Sequence, residues 1–242
     1  MPNYYYDGSF DGLLTVVYMA YGDKNNGLRV IAEKEQFTLG LDDIHIMTDF
    51  SKARRVEKNI CEKISREFLN KMHTCFLSCD KNKDTAIVHT TYKAIKQGEK
   101  ILNSLDEHAF HMNKLIKQVL SERHKYLGVL RFKEMKDGTM FATIEPKNNV
   151  LPALISHFRN RMKRERFAIF DKEREMIAYY DMKKVEIFFV KSPEIEWSDE
   201  EKEYSELWKT FHKSISIKER ENRKLQQSNL PKYYWKHLVE EM

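Results

Sequence analysis

Glu122, Arg123, His124, Arg131, Glu145, His157 and Asp171 are the side chains in this sequence best suited to moving protons or steadying developing charge, and they gather in its middle. A carboxylate and an imidazole within reach of one substrate can act as acid and base, and an arginine can hold an anionic oxygen. Arg123, His124, Glu145, His157 and Asp171 are therefore the candidate catalytic set. Their spacing does not by itself bring them together, and isolated carboxylates and histidines also serve as structural ion pairs. His-Glu-x-x-His, a phosphate loop, Gly-x-Ser-x-Gly, a paired-cysteine zinc pattern and the three-cysteine motif of radical S-adenosylmethionine enzymes are all missing from the sequence.

A second constellation is cationic. Arg159, Arg161, Lys163, Arg164 and Arg166 crowd around a single Glu165, and such a run can neutralise several phosphates if it shares one surface. It can equally be a solvated helix end favoured by the macrodipole. Near the C-terminus Arg220, Asn222, Arg223, Lys224, Gln226 and Gln227 have side chains that hydrogen-bond phosphates and base edges. Lys232, Tyr233, Tyr234, Trp235 and Lys236 then interleave charge with aromatic rings, which suits stacking on unpaired bases as well as docking on a core. The nucleic-acid set is thus Arg159, Arg161, Lys163, Arg164, Arg166, Arg220, Arg223, Lys232, Trp235 and Lys236. For metals, His73, Cys75 and Cys79 or His108 and His111 are the clusters to test. Both of those cysteines fall on the apolar stripe of Phe68, Met72 and Phe76, so buried thiols are expected, with no metal and no cofactor.

The elements that must position these groups follow from periodicity. Tyr126 to Phe132 reads as a strand, Lys136-Asp137-Gly138 as a turn, and Met140 to Glu145 as the returning strand. A three-residue loop with Gly138 left-handed puts Leu130, Phe132, Met140, Ala142 and Ile144 on one face, and makes Arg131 and Glu145 diagonal neighbours. Leu151, Leu154, Ile155, Phe158 and Met162 then mark a helix, with Pro152 in its first turn and the cations on its outer positions. Phe167–Phe170 and Met176–Tyr180 make a second hairpin, and Val185–Val190 one more strand. Upstream, Tyr4–Tyr6 is a short strand and Ser9 caps a helix apolar nearly all round. Further helices follow from about Ser51, around Phe68 and from Thr85, which can cap it, to Gly98, with a long one within Asp106–Tyr126. Ser198-Asp199-Glu200-Glu201 and Ser216-Ile217-Lys218-Glu219 have capping-box spacing, and Pro231 opens a last short helix.

The expected fold class is α+β: N-terminal helices packed on an antiparallel sheet, a hairpin-helix-hairpin core, and C-terminal helices. Residues 1–105 form a mainly helical part and 106–242 the hairpin-bearing part, with a soft boundary. The 242 residues can bury a sizeable core, and 33% charged residues beside 41% hydrophobic ones exclude a disordered chain. A net charge of +5 permits an anionic partner without requiring one. No stretch approaches the ~20 apolar residues of a membrane span, and no secretory signal is read. Cys61, Cys75 and Cys79, odd in number, point to a reducing cytoplasm.

Tyr6-Asp7-Gly8-Ser9-Phe10-Asp11-Gly12-Leu13, Phe110-His111-Met112-Asn113, the run Glu122 to Phe132, Ile144-Glu145-Pro146, His157-Phe158 and Pro231-x-x-Tyr234-Trp235-Lys236-His237-Leu238 together carry a resemblance over nearly the whole chain. The sequence resembles a bacterial family of DNA metabolism proteins. The resemblance implies a neighbouring DNA-repair radical SAM protein as partner, and some relatives are fused to a uracil-DNA-glycosylase-like domain for which this chain has no room. It implies no catalytic residues. The expectation is a cytoplasmic, DNA-associated accessory or repair factor. The alternatives are a nuclease- or glycosylase-like enzyme acting on damaged DNA, and a protein-binding scaffold without DNA contact.

Overall fold

The structure is a computed structural model that describes residues 2–23, 27–32, 43–217 and 222–238. The chain divides into two compact units, Met1–Leu120 and Ser121–Met242.

In the first unit a central strand β1 (Asn3–Tyr6) lies between β2 (Arg29–Ala32) and β3 (Asp43–Ile46), parallel to both. Only β1 was expected from the sequence; β2 and β3 are too short to show a period. Helix α1 (Phe10–Met19) follows β1, and the Ser9 hydroxyl accepts the Gly12 N–H as its cap. Leu13, Leu14, Val16 and Val17 are all buried, as an all-round apolar helix requires. Gly12 has no alternative, because a Cβ there would stand 2.2 Å from Asp7 Oδ1. That carboxylate accepts the Ser9 N–H, the Ser9 hydroxyl and the Thr48 hydroxyl.

Helices α2 (Phe50–Lys63), α3 (Arg66–Phe76) and α4 (Lys83–Gln97) follow, and α5 (Glu107–Val129) begins in this unit. Asp49 and Ser65 cap α2 and α3. The α4 cap expected at Thr85 is corrected: the helix starts at Lys83, and the Thr85 hydroxyl instead accepts the Val30 N–H at 3.0 Å. Satisfying the strand's backbone donor wins, since α4 is already under way at that position. Gly98, with φ of +69°, ends α4 as its sequence position suggests.

The second unit holds a five-stranded sheet in the order β4-β5-β6-β7-β8. The strands are β4 (Lys133–Glu134), β5 (Met140–Ile144), β6 (Phe167–Asp171), β7 (Met176–Tyr180) and β8 (Val185–Phe189). The β4/β5 register, Lys133 opposite Phe141, and a Gly138 φ of +76° give the three-residue loop expected. The strand expected over Tyr126–Phe132 is not there. Helix α5 runs on to Val129, because Tyr126 is committed on the helix to the Glu145 N–H and to the Tyr234 ring. Arg131 accordingly donates to the Gly128 and Leu130 carbonyls of the helix end.

Helix α6 (Leu151–Arg161) connects β5 to β6 as a crossover, so these two strands are parallel while the other pairs are antiparallel. The sheet is therefore mixed rather than antiparallel. Leu151, Leu154, Ile155 and Phe158 are buried on α6, and Phe132 packs edge-on against Phe158 and Phe167. Phe141, Ala168 and Phe170 make a separate apolar cluster with Trp197 beside it. Helix α7 (Asp199–Ile215), helix α8 (Arg223–Asn229) and a 3-10 segment (Lys232–His237) complete the unit. Ser198 caps α7 by accepting the Glu201 N–H, but the capping box is not reciprocal: Glu201 accepts the Glu134 N–H of β4. The second box falls partly on residues outside those described. Among the described residues no helix is long and apolar enough to cross a membrane.

Candidate functional site

Strands β5 and β6 end side by side, with Ile144 opposite Asp171. Pro146 cannot donate to a further ladder bond, so the chain leaves the sheet there and turns through Lys147-Asn148-Asn149 into α6. Glu122 on α5 holds that turn: its carboxylate accepts the Lys147 N–H at 2.8 Å, the Asn148 N–H at 2.9 Å and the Asn148 side-chain amide at 2.7 Å. Asp171 is 0% exposed. One of its oxygens accepts the Glu173 and Arg174 N–H groups and the other takes the Arg174 guanidinium at 3.0 Å. Arg174 also donates to the Pro146 and Lys147 carbonyls, so it ties the two strand ends to each other. Burial pushes the Asp171 carboxyl up from its ordinary range, and the Arg174 charge opposes that shift.

Glu145, also buried, lies within 3.7 Å of the Lys172 ammonium, and its N–H donates to the Tyr126 hydroxyl at 3.3 Å. Burial raises the Tyr126 hydroxyl strongly and pushes Tyr234 up to about 12. Two buried atoms, Arg123 Nε and Asn149 Oδ1, have no hydrogen-bond partner. The candidate catalytic residues thus separate. Glu145 and Asp171 share one strand-end region, and Arg123 lies beside Glu122 on α5. His124 is exposed, and the His157 ring rests edge-on against Phe158; neither makes a described hydrogen bond to the carboxylates. Asp171, sealed from solvent with both oxygens bonded, is built as a brace, and an acid or base needs a path to substrate.

The cationic run does not occupy one helix face, because α6 stops at Arg161 and the Met162 N–H closes it onto the Phe158 carbonyl. Arg159 and Arg161 end the helix, while Lys163 and Arg164 sit in the following turn. All four are exposed, and none has an ion-pair partner among the described residues. Arg166 is committed elsewhere: its guanidinium donates to the Asp137 carbonyl and pins this turn to the β4–β5 hairpin. The placement of this charge after the last carbonyls of α6 is the favourable end for cations.

At the C-terminus the Arg223 guanidinium lies 5.6 Å from the Trp235 ring centroid, and the indole N–H donates to the Leu230 carbonyl at 2.8 Å. Trp235 is half-buried, Tyr234 buried and Lys232 exposed. Arg220 and the Lys236 side chain lie outside the described residues. Among those described, no group of three or more His, Cys, Asp and Glu side chains is placed to hold a metal. Cys75 is buried, which pushes its thiol up, but the expected burial of Cys79 is corrected: α3 ends at Phe76 and Cys79, beyond it, is exposed; His111 pairs with Asp80 at 3.2 Å and His108 stacks on His89.

A family model described as a domain of unknown function, DUF4130, matches residues 81–240. The chain belongs to the DUF4130 family. No curated protein matches it. The DUF4130 match spans α4, α5 and every described element of the second unit, including the strand-end brace and the basic turn.

Within this DUF4130 region, sequence reasoning passed over Asn148, Arg174 and Tyr126 as site-forming groups. The one available signal was the spacing of Glu122 and Tyr126, four residues apart on one helix face. It also passed over the α7 stripe of Tyr204, Leu207, Trp208 and Phe211 as a surface. These side chains are exposed and form one wall of a cleft of about 820 Å3, opposite Phe132 and Met140.

Proposed function

We propose that this DUF4130 protein is a DNA-associated accessory or repair factor of the cytoplasm, holding nucleic acid through Arg159, Arg161, Lys163 and Arg164. The observation that supports this reading is the exposure of four cations with no acidic partner among the described residues, grouped at one helix end. Such cations neutralise phosphates and release the counterions condensed on the nucleic acid, and Glu165 is the single carboxylate within the run. Arg223 and Lys232 are secondary contacts on this reading. The resemblance to DNA metabolism proteins supplies the partner class: a radical SAM or glycosylase-like enzyme that performs the chemistry.

The test is binding of duplex and single-stranded DNA as a function of salt. Replacing Arg159, Arg161 and Arg164 together by Ala is expected to flatten the logarithmic salt dependence by up to about three units, since each phosphate contact releases roughly one counterion. An unchanged slope removes the basic turn from the interface. The enzyme alternative, a nuclease- or glycosylase-like activity at Arg123, His124, Glu145, His157 and Asp171, is weakened by the sealed environment of Asp171. Turnover of damaged DNA by the purified chain, lost in Glu145→Gln, would reinstate it.

A further inference from the structure

Helix α7 is amphipathic in an unusual sense, because its apolar side is turned to solvent. Tyr204, Leu207, Trp208, Phe211 and Ile215 repeat at three- and four-residue intervals, and Leu207 and Phe211 are 65% and 52% exposed. From Tyr204 to Ile215 the stripe runs about 16 Å along the axis, three helical turns. A contiguous apolar surface of this kind on a folded chain marks a place where something docks.

The opposite wall of the cleft is Phe132 and Met140, so an occupant would be gripped between α7 and the β4–β5 hairpin. Its rim carries Glu134, Glu165 and Glu201 against Arg131 alone. Glu201 and Glu203 flank the stripe on α7 itself, less than a third of a turn from its edges by helical spacing. An apolar floor with an acidic rim repels a polyanion, so the cleft borders the basic turn, from which Glu165 comes, with carboxylates rather than extending its cations. The same acidic rim disfavours a second copy, whose α7 would bring its own carboxylates against these. The chemistry that fits is the inverse: an apolar stripe flanked by Lys and Arg.

We propose that this cleft docks an amphipathic helical segment of a partner protein, with its apolar side between α7 and the hairpin and its basic flanks on Glu134, Glu165 and Glu203. Helix-in-groove recognition reads such a segment through anchors three to four residues apart, the spacing the α7 stripe presents. The site shares Glu165 with the basic turn but uses none of its cations. It stands whether or not Arg159 to Arg164 hold DNA, and a partner enzyme recruited here would leave those cations unoccupied.

Two labelled synthetic helical peptides of equal length test it, one with leucine on one face and lysine on the other, the second with glutamate for each lysine. The full chain is expected to bind the lysine peptide, with affinity falling as salt rises, and to bind the glutamate peptide at least about tenfold more weakly, the scale of one to two lost charge pairs. Leu207→Glu should cost at least about tenfold for the lysine peptide, as loss of a central anchor does. Glu165→Lys lies in the exposed turn outside α7, and a tenfold loss there reports the rim with the helix intact. Equal binding of both peptides, or undiminished binding by Leu207→Glu, overturns the proposal. So does sedimentation showing self-association that Leu207→Glu abolishes, or displacement of the peptide by an oligonucleotide.

Discussion

The two units solve the problem of burial differently. The first fills its interior with one contiguous apolar cluster from Tyr4 and Leu13 through Phe68 and Met72 to Met112 and Leu115, and α1 is buried almost all round. Its buried carboxylate, Asp84, has the Lys83 ammonium at 3.2 Å. The second unit buries Ile144, Leu151, Leu154, Phe158 and Phe167 and a separate cluster around Phe141 and Phe170, and it adds charge at its central strand ends through Glu122, Asp171 and Arg174. Both units leave large apolar groups outside, among them Met47 and Leu105 in the first and Phe189 in the second, but in the second α7 gathers them into a stripe. Apolar burial is non-directional and makes a scaffold, whereas buried charge fixes a loop in one geometry and exposed apolar surface waits for a partner. The surfaces with recognition chemistry accordingly lie in the second unit, which the DUF4130 match covers throughout its described elements.

The sharpest way to break this contrast is to remove the cation from the strand-end brace. Arg174→Met leaves the Asp171 charge sealed without its partner and is expected to cost about 3–5 kcal/mol, the scale for breaking a buried pair. Denaturant unfolding measures it, and hydrogen exchange at β5 and β6 localises it. A loss below about 1 kcal/mol, the ordinary worth of a surface pair, would mean the brace is decorative. The corresponding cut in the first unit is Met72→Ala, at about 2–5 kcal/mol for lost packing and a residual cavity. Its exchange effects should spread through α1 to α4, because a contiguous core shares the damage.

A milder probe is Glu122→Gln, which keeps the shape and one acceptor oxygen but gives up the charge and one acceptor for the Lys147 and Asn148 donors. About 1–3 kcal/mol is expected, with faster exchange of those two amides. The smallest effect is a pH dependence in the first unit. Burial, the neighbouring His89 ring and the Lys93 charge hold His108 below its ordinary 6.5, against the opposing pull of Asp106 and Glu107. The folded state therefore binds fewer protons than the unfolded one. Stability should be intact above the unfolded value and fall as pH drops through 6.5 toward the depressed folded value. Melting curves of the wild type and His108→Phe across that window check the sign, and identical pH profiles would show that the stacked pair carries no such linkage.

How much could be read beforehand depended on how local each decision was. Ser9, Gly98, Gly138 and Pro152 sit where a cap, a stop, a left-handed turn and a first helical turn need them, and each does what its position implies. The hairpin register could be worked out from face sorting alone. Tyr126 to Phe132 could not, because strand-forming residue types were overruled by what Tyr126 touches on α5. Thr85 and Glu201 have sound capping chemistry and spend it on Val30 and Glu134, partners far away in sequence. The brace was illegible for the same reason. Glu122 and Asn148, or Asp171 and the Pro146 carbonyl, are related by strand pairing and helix placement rather than by spacing.

By itself the sequence determined the α+β class, most helix positions and the second hairpin, since periodicity, turn chemistry and composition are properties of neighbouring residues. Tertiary structure decided the parallel β5–β6 pairing, the end of α6 at Arg161, which cations stay exposed, and that the apolar side of α7 faces an open cleft. Those outcomes turn on which backbone and charged groups find partners across the fold, and a buried donor or carboxylate must be satisfied wherever the partner lies in the chain.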